Sequence, residues 1–237
     1  MDNKKEKQES TNDLKAKLVK NLEETGYPVE LKVGDILSKN RWWVEHNRYY
    51  IDEDEQKGRE IDILAHTNSY FHSEEVNLCV WLNLVCEVKQ ARKHPWVILS
   101  TTRGLIEGEG YLRPHYHTSS IDSSLLDGGE IERRATTKQF TRIGRSYYEA
   151  FKSADAKSAI FEALTTTIKA SEYRLKKEKG AGVDIDTGLK EYREITFVDP
   201  IVVLDGLLYE AYLNDNNAIQ LAPISHIPVS FGYISGV

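Results

Sequence analysis

Gly58-Arg-Glu-Ile-Asp62-Ile-Leu-Ala65, a hydrophobic run, and then Val85-Cys-Glu87-Val-Lys89-Gln90 form the stretch around which the chain is organised. Each of two apolar strands carries an acid at one end, and the second adds a lysine two residues after its glutamate. Alternate side chains of a strand share a face, so Glu87 and Lys89 point one way while Cys86 and Val88 point the other. Charges at the ends of oily strands cost several kcal/mol each to desolvate unless they are partnered. A divalent cation is a natural partner, and ligands that are all oxygen suit magnesium or manganese.

Working towards the N-terminus, Trp42 to Ile51 is rich in aromatic and β-branched residues and reads as a strand. Trp42, Trp43, Tyr49 and Tyr50 are expected to pack the core. Asp52 to Gly58 reads as a hairpin turn with solvated acids, and Arg59 to Thr67 as the next strand. Before these, Pro28 suits the first turn of a helix. Val29, Val33, Ile36 and Leu37 form its apolar stripe, with Glu30 beside it. Taken alone, Glu30 is a first-turn surface glutamate favoured by the helix dipole. Leu14, Leu18 and Leu22 give an earlier helix, and residues 1–10, polar and without period, read as a disordered tail.

Towards the C-terminus, the continuous apolar character of Val76 to Lys89 predicts a central strand covered on both faces. Pro95 to Thr101 reads as a short fourth strand. Residues 103–136 lack a clear period and read as a long loop or insertion; its Arg113-Pro-His115-Tyr-His117 offers two histidines without a third ligand. Helices are expected over Thr137 to Phe151 and Asp155 to Lys179, the latter with Phe161, Leu164, Ile168 and Leu175 as its stripe and Gly180 as its stop. Asp184 and Asp186 fall in a following loop. Strands over Ile195 to Leu204, Leu207 to Leu213, Ala218 to Ile224 and Ile227 to Ile234, with turns at Asp205-Gly206 and Asn214 to Asn217, predict a β-meander.

The 237 residues suffice for one well-buried domain, expected over 11–237. A formal net charge of −6 speaks against nucleic-acid binding through a globally basic surface. Local basic clusters do occur at Lys89, Arg92, Lys93 and His94, and at Arg133, Arg134, Lys138, Arg142 and Arg145. With no long apolar run and a charged start, the expectation is a soluble, cytoplasmic protein without membrane contact. Cys79 and Cys86 lie on one rigid strand that cannot bridge them, so buried free thiols are expected.

Asp62 followed by Glu87-Val88-Lys89, with a helix bearing Glu30 ahead of both, resembles the PD-(D/E)XK nuclease superfamily. The resemblance covers roughly residues 26–101, and Ile61 stands where the family pattern has proline. It implies an α/β restriction-endonuclease-like core, a central mixed β-sheet flanked by helices, here with the C-terminal β-meander as an extension. It also implies metal-dependent hydrolysis of nucleic-acid phosphodiesters, DNA favoured over RNA, in settings such as restriction or anti-phage defence.

On this resemblance Asp62 and Glu87 hold Mg²⁺, with Mn²⁺ able to substitute and the Val88 carbonyl as a further ligand. Lys89 positions the attacking water or stabilises charge on the phosphoryl oxygens. Glu30 orients a water or joins a second ion, Gln90 stands behind the ligands, and Arg92, Lys93 and His94 contact nucleic acid. The rival class is a catalytically silent or partner-gated module of the same fold that binds nucleic acid or assembles with other proteins, as a homodimer or with a regulatory partner.

Overall fold

A computed structural model describes residues 2–74, 76–102, 115–119, 141–153, 156–180 and 191–232. In chain order the elements are α1 (Asp2–Glu23), α2 (Tyr27–Lys39), β1 (Trp43–Asp52), β2 (Lys57–His72), β3 (Val76–Thr102), β4 (His115–Ser119), β5 (Arg142–Glu149), α3 (Ala159–Gly180), β6 (Glu191–Leu213) and β7 (Ile219–Pro223). The strands form one mixed sheet in the order β1-β2-β3-β6-β4, with β5 added to β3 and β7 added to β6.

β3 is the axis of the sheet. Its first half pairs antiparallel with β2, placing Ile63 opposite Cys86. Its last part pairs antiparallel with β5. Along the other edge β6 runs parallel to it, from Val76↔Glu191 to Leu99↔Ala211, with an irregularity between Ala91 and Trp96. A parallel pair needs a crossover, and α3 lies within it.

Strand alternation sorts the core into two faces. Ile63, Ala65, Cys86 and Val88 pack against Val29, Val33 and Leu37 of α2. On the opposite face Tyr50, Ile61, Leu64, Val85 and Val198 meet Ala170 and Tyr173 of α3, and Trp96 meets Ile160 and Ala163 nearer the start of α3. Burying a side chain such as Ile63, at 0% exposure, contributes about 1.5–3 kcal/mol. This covered sheet is the α/β architecture expected, and Cys79 and Cys86 are buried on the one strand and form no disulfide.

Several local expectations are corrected. Residues 2–10, read as a tail, belong to α1; lysines, glutamates and glutamines are good helix formers even without an apolar stripe. Trp43, Tyr49 and Ile36 are exposed rather than core. The two strands expected between Val76 and Thr101 are one, because β6 bridges the interruption at residues 92–95. The helix expected over Thr137 to Phe151 is instead strand β5 where it is described. Ile143 and Tyr147 are four apart, a spacing that both a helix face and a strand face allow, and the free edge of β3 decides for the strand.

Asp205-Gly206 is not a turn: β6 runs straight through it, with Gly206 opposite Ala91. A Cβ on Gly206 would lie 2.7 Å from the Ala91 carbonyl oxygen, so glycine is there for close approach. The turn at Asn214 to Asn217 is present, with the Asn214 side chain accepting from the amides of Asn216 and Ala218. β7 pairs with β6 as expected. The last expected strand is reduced, among the described residues, to a single bridge between Val229 and Gly144. Within 103–136 the described part is β4 on the edge of β6; Asp184, Asp186, Arg133, Arg134 and Lys138 lie outside the described residues.

Candidate functional site

Asp62 sits where the alternation of β2 slips. Ile61 and Leu64, three apart, both join the α3-side cluster, whereas Ile63 between them faces α2. The opposing position on β1 is the one missing from the ladder, between His46↔Ile63 and Arg48↔Ile61, and Asn47 there has φ 55°. Asparagine tolerates that left-handed conformation better than most residues. The slip leaves the Asp62 carboxylate free to reach across to β3, where its Oδ2 accepts a 2.6 Å hydrogen bond from the Val88 amide.

Val88 lies between Glu87 and Lys89, and alternation gives those two the face of Val85 and Ala91, under α3. Glu87 is 6% exposed. Its Oε1 accepts from Lys89 Nζ at 2.6 Å, while its Oε2 is buried with no hydrogen-bond partner. Burial pushes the Glu87 carboxyl above the ordinary carboxylate range; Lys89 opposes this, and the charges of Asp62 and Glu30 reinforce it. Glu30, in the first turn of α2, is likewise raised, by partial burial and then by Asp62 and Glu60, against Lys89. Cys86 is pushed up to about 12 by burial and by Asp62, which keeps it an unreactive thiol.

Thus Glu30, Asp62, Glu87 and Lys89 come within one electrostatic neighbourhood, with Glu87 and Lys89 in direct contact. Gln90 does not join them. Its Nε2 donates to Asp205 Oδ2 at 3.3 Å, on the far side of the strand. Arg92 is held by the same carboxylate at 2.8 Å, and this guanidinium is the chief cause of the lowered Asp205 pKa. His94 Nδ1 lies 3.1 Å from the Ala150 carbonyl oxygen. Lys93 is exposed. Glu60 was not legible as part of this neighbourhood, nor Asp205 as the partner of Gln90 and Arg92: the first looks like a surface acid, the second like a turn residue, and no spacing ties either to its place.

Among the described residues no group of three or more His, Cys, Asp or Glu side chains is assembled to hold a metal ion. The donors near Glu87 suit a hard cation that keeps most of its own water. Magnesium is commonly bound through one or two carboxylates, the remaining positions falling to water and substrate phosphate. The partnerless Glu87 Oε2 is such a donor, and the ammonium of Lys89 already occupies the other oxygen. Comparison with protein-family models, with curated proteins and with solved structures returned no match to this chain.

Proposed function

We propose that this chain is a metal-dependent nuclease of the restriction-endonuclease-like type, hydrolysing phosphodiester bonds in nucleic acid, DNA ahead of RNA. The observation that carries the reading is the Asp62–Val88 hydrogen bond beside the buried Glu87–Lys89 pair. It ties the two acids and the lysine together at adjacent strands of the central sheet. The element order of α2, β1, β2, β3, α3 and β6, with β6 parallel to β3, supports it further.

In this reading Asp62 and Glu87 would hold Mg²⁺ or Mn²⁺, with the Val88 carbonyl beside them. When bound, the ion supplies charge that polarises a phosphoryl oxygen and acidifies water. Lys89 holds its ammonium where negative charge builds on the phosphate in the transition state. Glu30, with its raised affinity for a proton, orients water on the α2 side. A role in restriction or anti-phage defence is an extension by analogy of fold.

A second reading has a specific observation in its favour: Lys89 neutralises Glu87 within the protein, so the pair can persist without any cation. That is the arrangement of a silent or partner-gated module. Incubating the protein with linear, circular and single-stranded DNA and with RNA, each with Mg²⁺ and with chelator, separates the two. Cleavage that needs Mg²⁺ and is lost in Glu87→Gln supports the nuclease. Intact substrates throughout, at high protein concentration, support the module.

A further inference from the structure

The sheet face that Val88 and Val203 present to α2 continues beyond that helix. Alternation along β6 brings Tyr209, Ala211 and Leu213 to it. The register sets Leu99 of β3 and Leu221 of β7 on either side of Ala211, and Ile219 beside Leu213. Leu99, Leu213, Leu221 and Ile219 are all exposed there, Ile219 at 77%. Large apolar side chains that adjoin one another in the open mark an interaction site, whereas scattered ones need no explanation.

The edge of the same sheet is open as well. β7 pairs with β6, and among the described residues with no other strand. The Asn214 amide donates to the Ala218 carbonyl, and the Ile224 amide to that of Leu208, both at 3.0 Å. Hydrogen-bonded pairs of an antiparallel ladder recur at every second residue. The even-numbered residues of β7 therefore bond to β6, and Ile219, Leu221 and Pro223 turn their backbone groups outward. Proline is tolerated at such a position because its missing N–H would face away from the ladder. Edge strands are ordinarily blunted by charge, yet residues 216–224, Asn-Asn-Ala-Ile-Gln-Leu-Ala-Pro-Ile, carry none.

We propose that β7 pairs antiparallel with β7 of a second copy of this chain, the two-fold axis passing between Leu221 and the partner's Leu221. Two copies of net charge −6 repel each other, and an edge without charge is where they can meet. Centred there, the two Leu221 residues exchange a pair of hydrogen bonds and each Ile219 amide donates to the Pro223 carbonyl across the axis, so every outward amide of β7 finds an acceptor. Centring on Ile219 would run the pairing into the turn at Asn217, whose φ is 57°. Centring on Pro223 would leave the central pair without a donor. The axis stands perpendicular to the sheet, so the open apolar faces of both copies join on one side. With on the order of 400 Å² buried per copy, the interface belongs to the small, reversible class. The pairing holds whether or not the chain cleaves nucleic acid.

The test is analytical ultracentrifugation of the full chain over a range of micromolar concentrations, where a reversible equilibrium between monomer and dimer is expected. Leu221→Lys and Ile219→Lys, at exposed positions, are each expected to weaken association at least about tenfold with unchanged far-ultraviolet circular dichroism. Under oxidation Leu221→Cys is expected to cross-link into a covalent dimer, because paired Cα atoms there lie about 5.5 Å apart. Ile219→Cys, roughly 14 Å from its counterpart, is expected not to. A chain that stays monomeric, leaving the edge to another segment of itself or to a different protein, overturns the proposal. So does a dimer that both lysine substitutions leave intact, or one that cross-links through position 219 rather than 221.

Discussion

Asp62 on β2 accepts a 2.6 Å hydrogen bond from the backbone amide of Val88 on β3, the residue flanked by Glu87 and Lys89. One oxygen of the aspartate is therefore a structural acceptor as well as part of the candidate site. Removing the carboxylate and changing its charge should have different consequences.

Asp62→Asn keeps an acceptor for Val88 and is expected to lose cleavage with near-normal stability. Asp62→Ala strands a part-buried amide and is expected to lose activity and also about 1–3 kcal/mol of stability. Urea unfolding of both variants beside a cleavage assay checks this. Equal stability of the two would show that the hydrogen bond contributes nothing.

Lys89→Ala should abolish activity and spare metal binding, since it removes a positive charge from beside the carboxylates. Glu87 then lacks its direct counter-charge among the described residues. Without metal the variant should be less stable by about 2 kcal/mol, below the range for breaking fully buried pairs because the lysine side chain is 29% exposed. Saturating Mn²⁺ should restore the loss. Calorimetric Mn²⁺ titration and single-turnover cleavage on one preparation are the measurements; normal cutting removes Lys89 from the mechanism.

Magnesium or manganese should raise the melting temperature of the wild type, by an amount equivalent to about 2.7 kcal/mol at one hundred times the dissociation constant. Glu87→Gln should show no such gain. A metal-induced shift of the same size in that variant would place the ion elsewhere.

Asp52 gives the pH dependence. The side chain is 2% exposed, with Lys169 at 2.9 Å and Arg59 at 2.9 Å. Burial alone would raise its pKa, but the Lys169 hydrogen bond, the Glu55 and Asp54 amides and the lysine charge outweigh that and lower it. The folded state thus favours the carboxylate, so its contribution is fully present above the ordinary aspartate value and is lost as pH falls through the lowered one. Asp52→Ala should be destabilised by about 3 kcal/mol near neutrality, with the gap to wild type closing below about pH 4. Thermal unfolding across pH 2–7 tests it, and a gap that does not narrow in acid refutes it.

Gly206→Ala should destabilise by about 1–3 kcal/mol, because its Cβ would meet the Ala91 backbone at 2.7 Å and 3.0 Å. Denaturant unfolding reads it directly. A neutral result would mean that β3 and β6 can move apart there at no cost.

Much of the site was legible because it depends on the geometry of single elements. The period of two puts Glu87 and Lys89 on one face and Cys86 and Val88 on the other, and the structure has them so. Pro28 opens α2 and sets Val29, Val33 and Leu37 on the sheet with Glu30 nearby. The supposed solvated acid Asp52 was misread because Lys169, its partner, is 117 residues away. That Asp205 holds both Gln90 and Arg92 was not legible, because it lies on the neighbouring strand.

By itself the amino-acid sequence determined the α/β class, the apolar central strand, the pairing of Glu87 with Lys89 on one face and the two buried thiols, since alternation and hydrophobic runs are properties of one segment. Only the tertiary structure decided that Arg142–Glu149 is a strand, that Asp205 and Gly206 continue β6, and that Asp62 reaches the Val88 amide. Each of these turns on the backbone of a distant segment: an open edge of β3, the Ala91 carbonyl, the slip opposite Asn47. Local periodicity says which side chains share a face, and strand register, fixed by long-range contacts, says which residue each one meets.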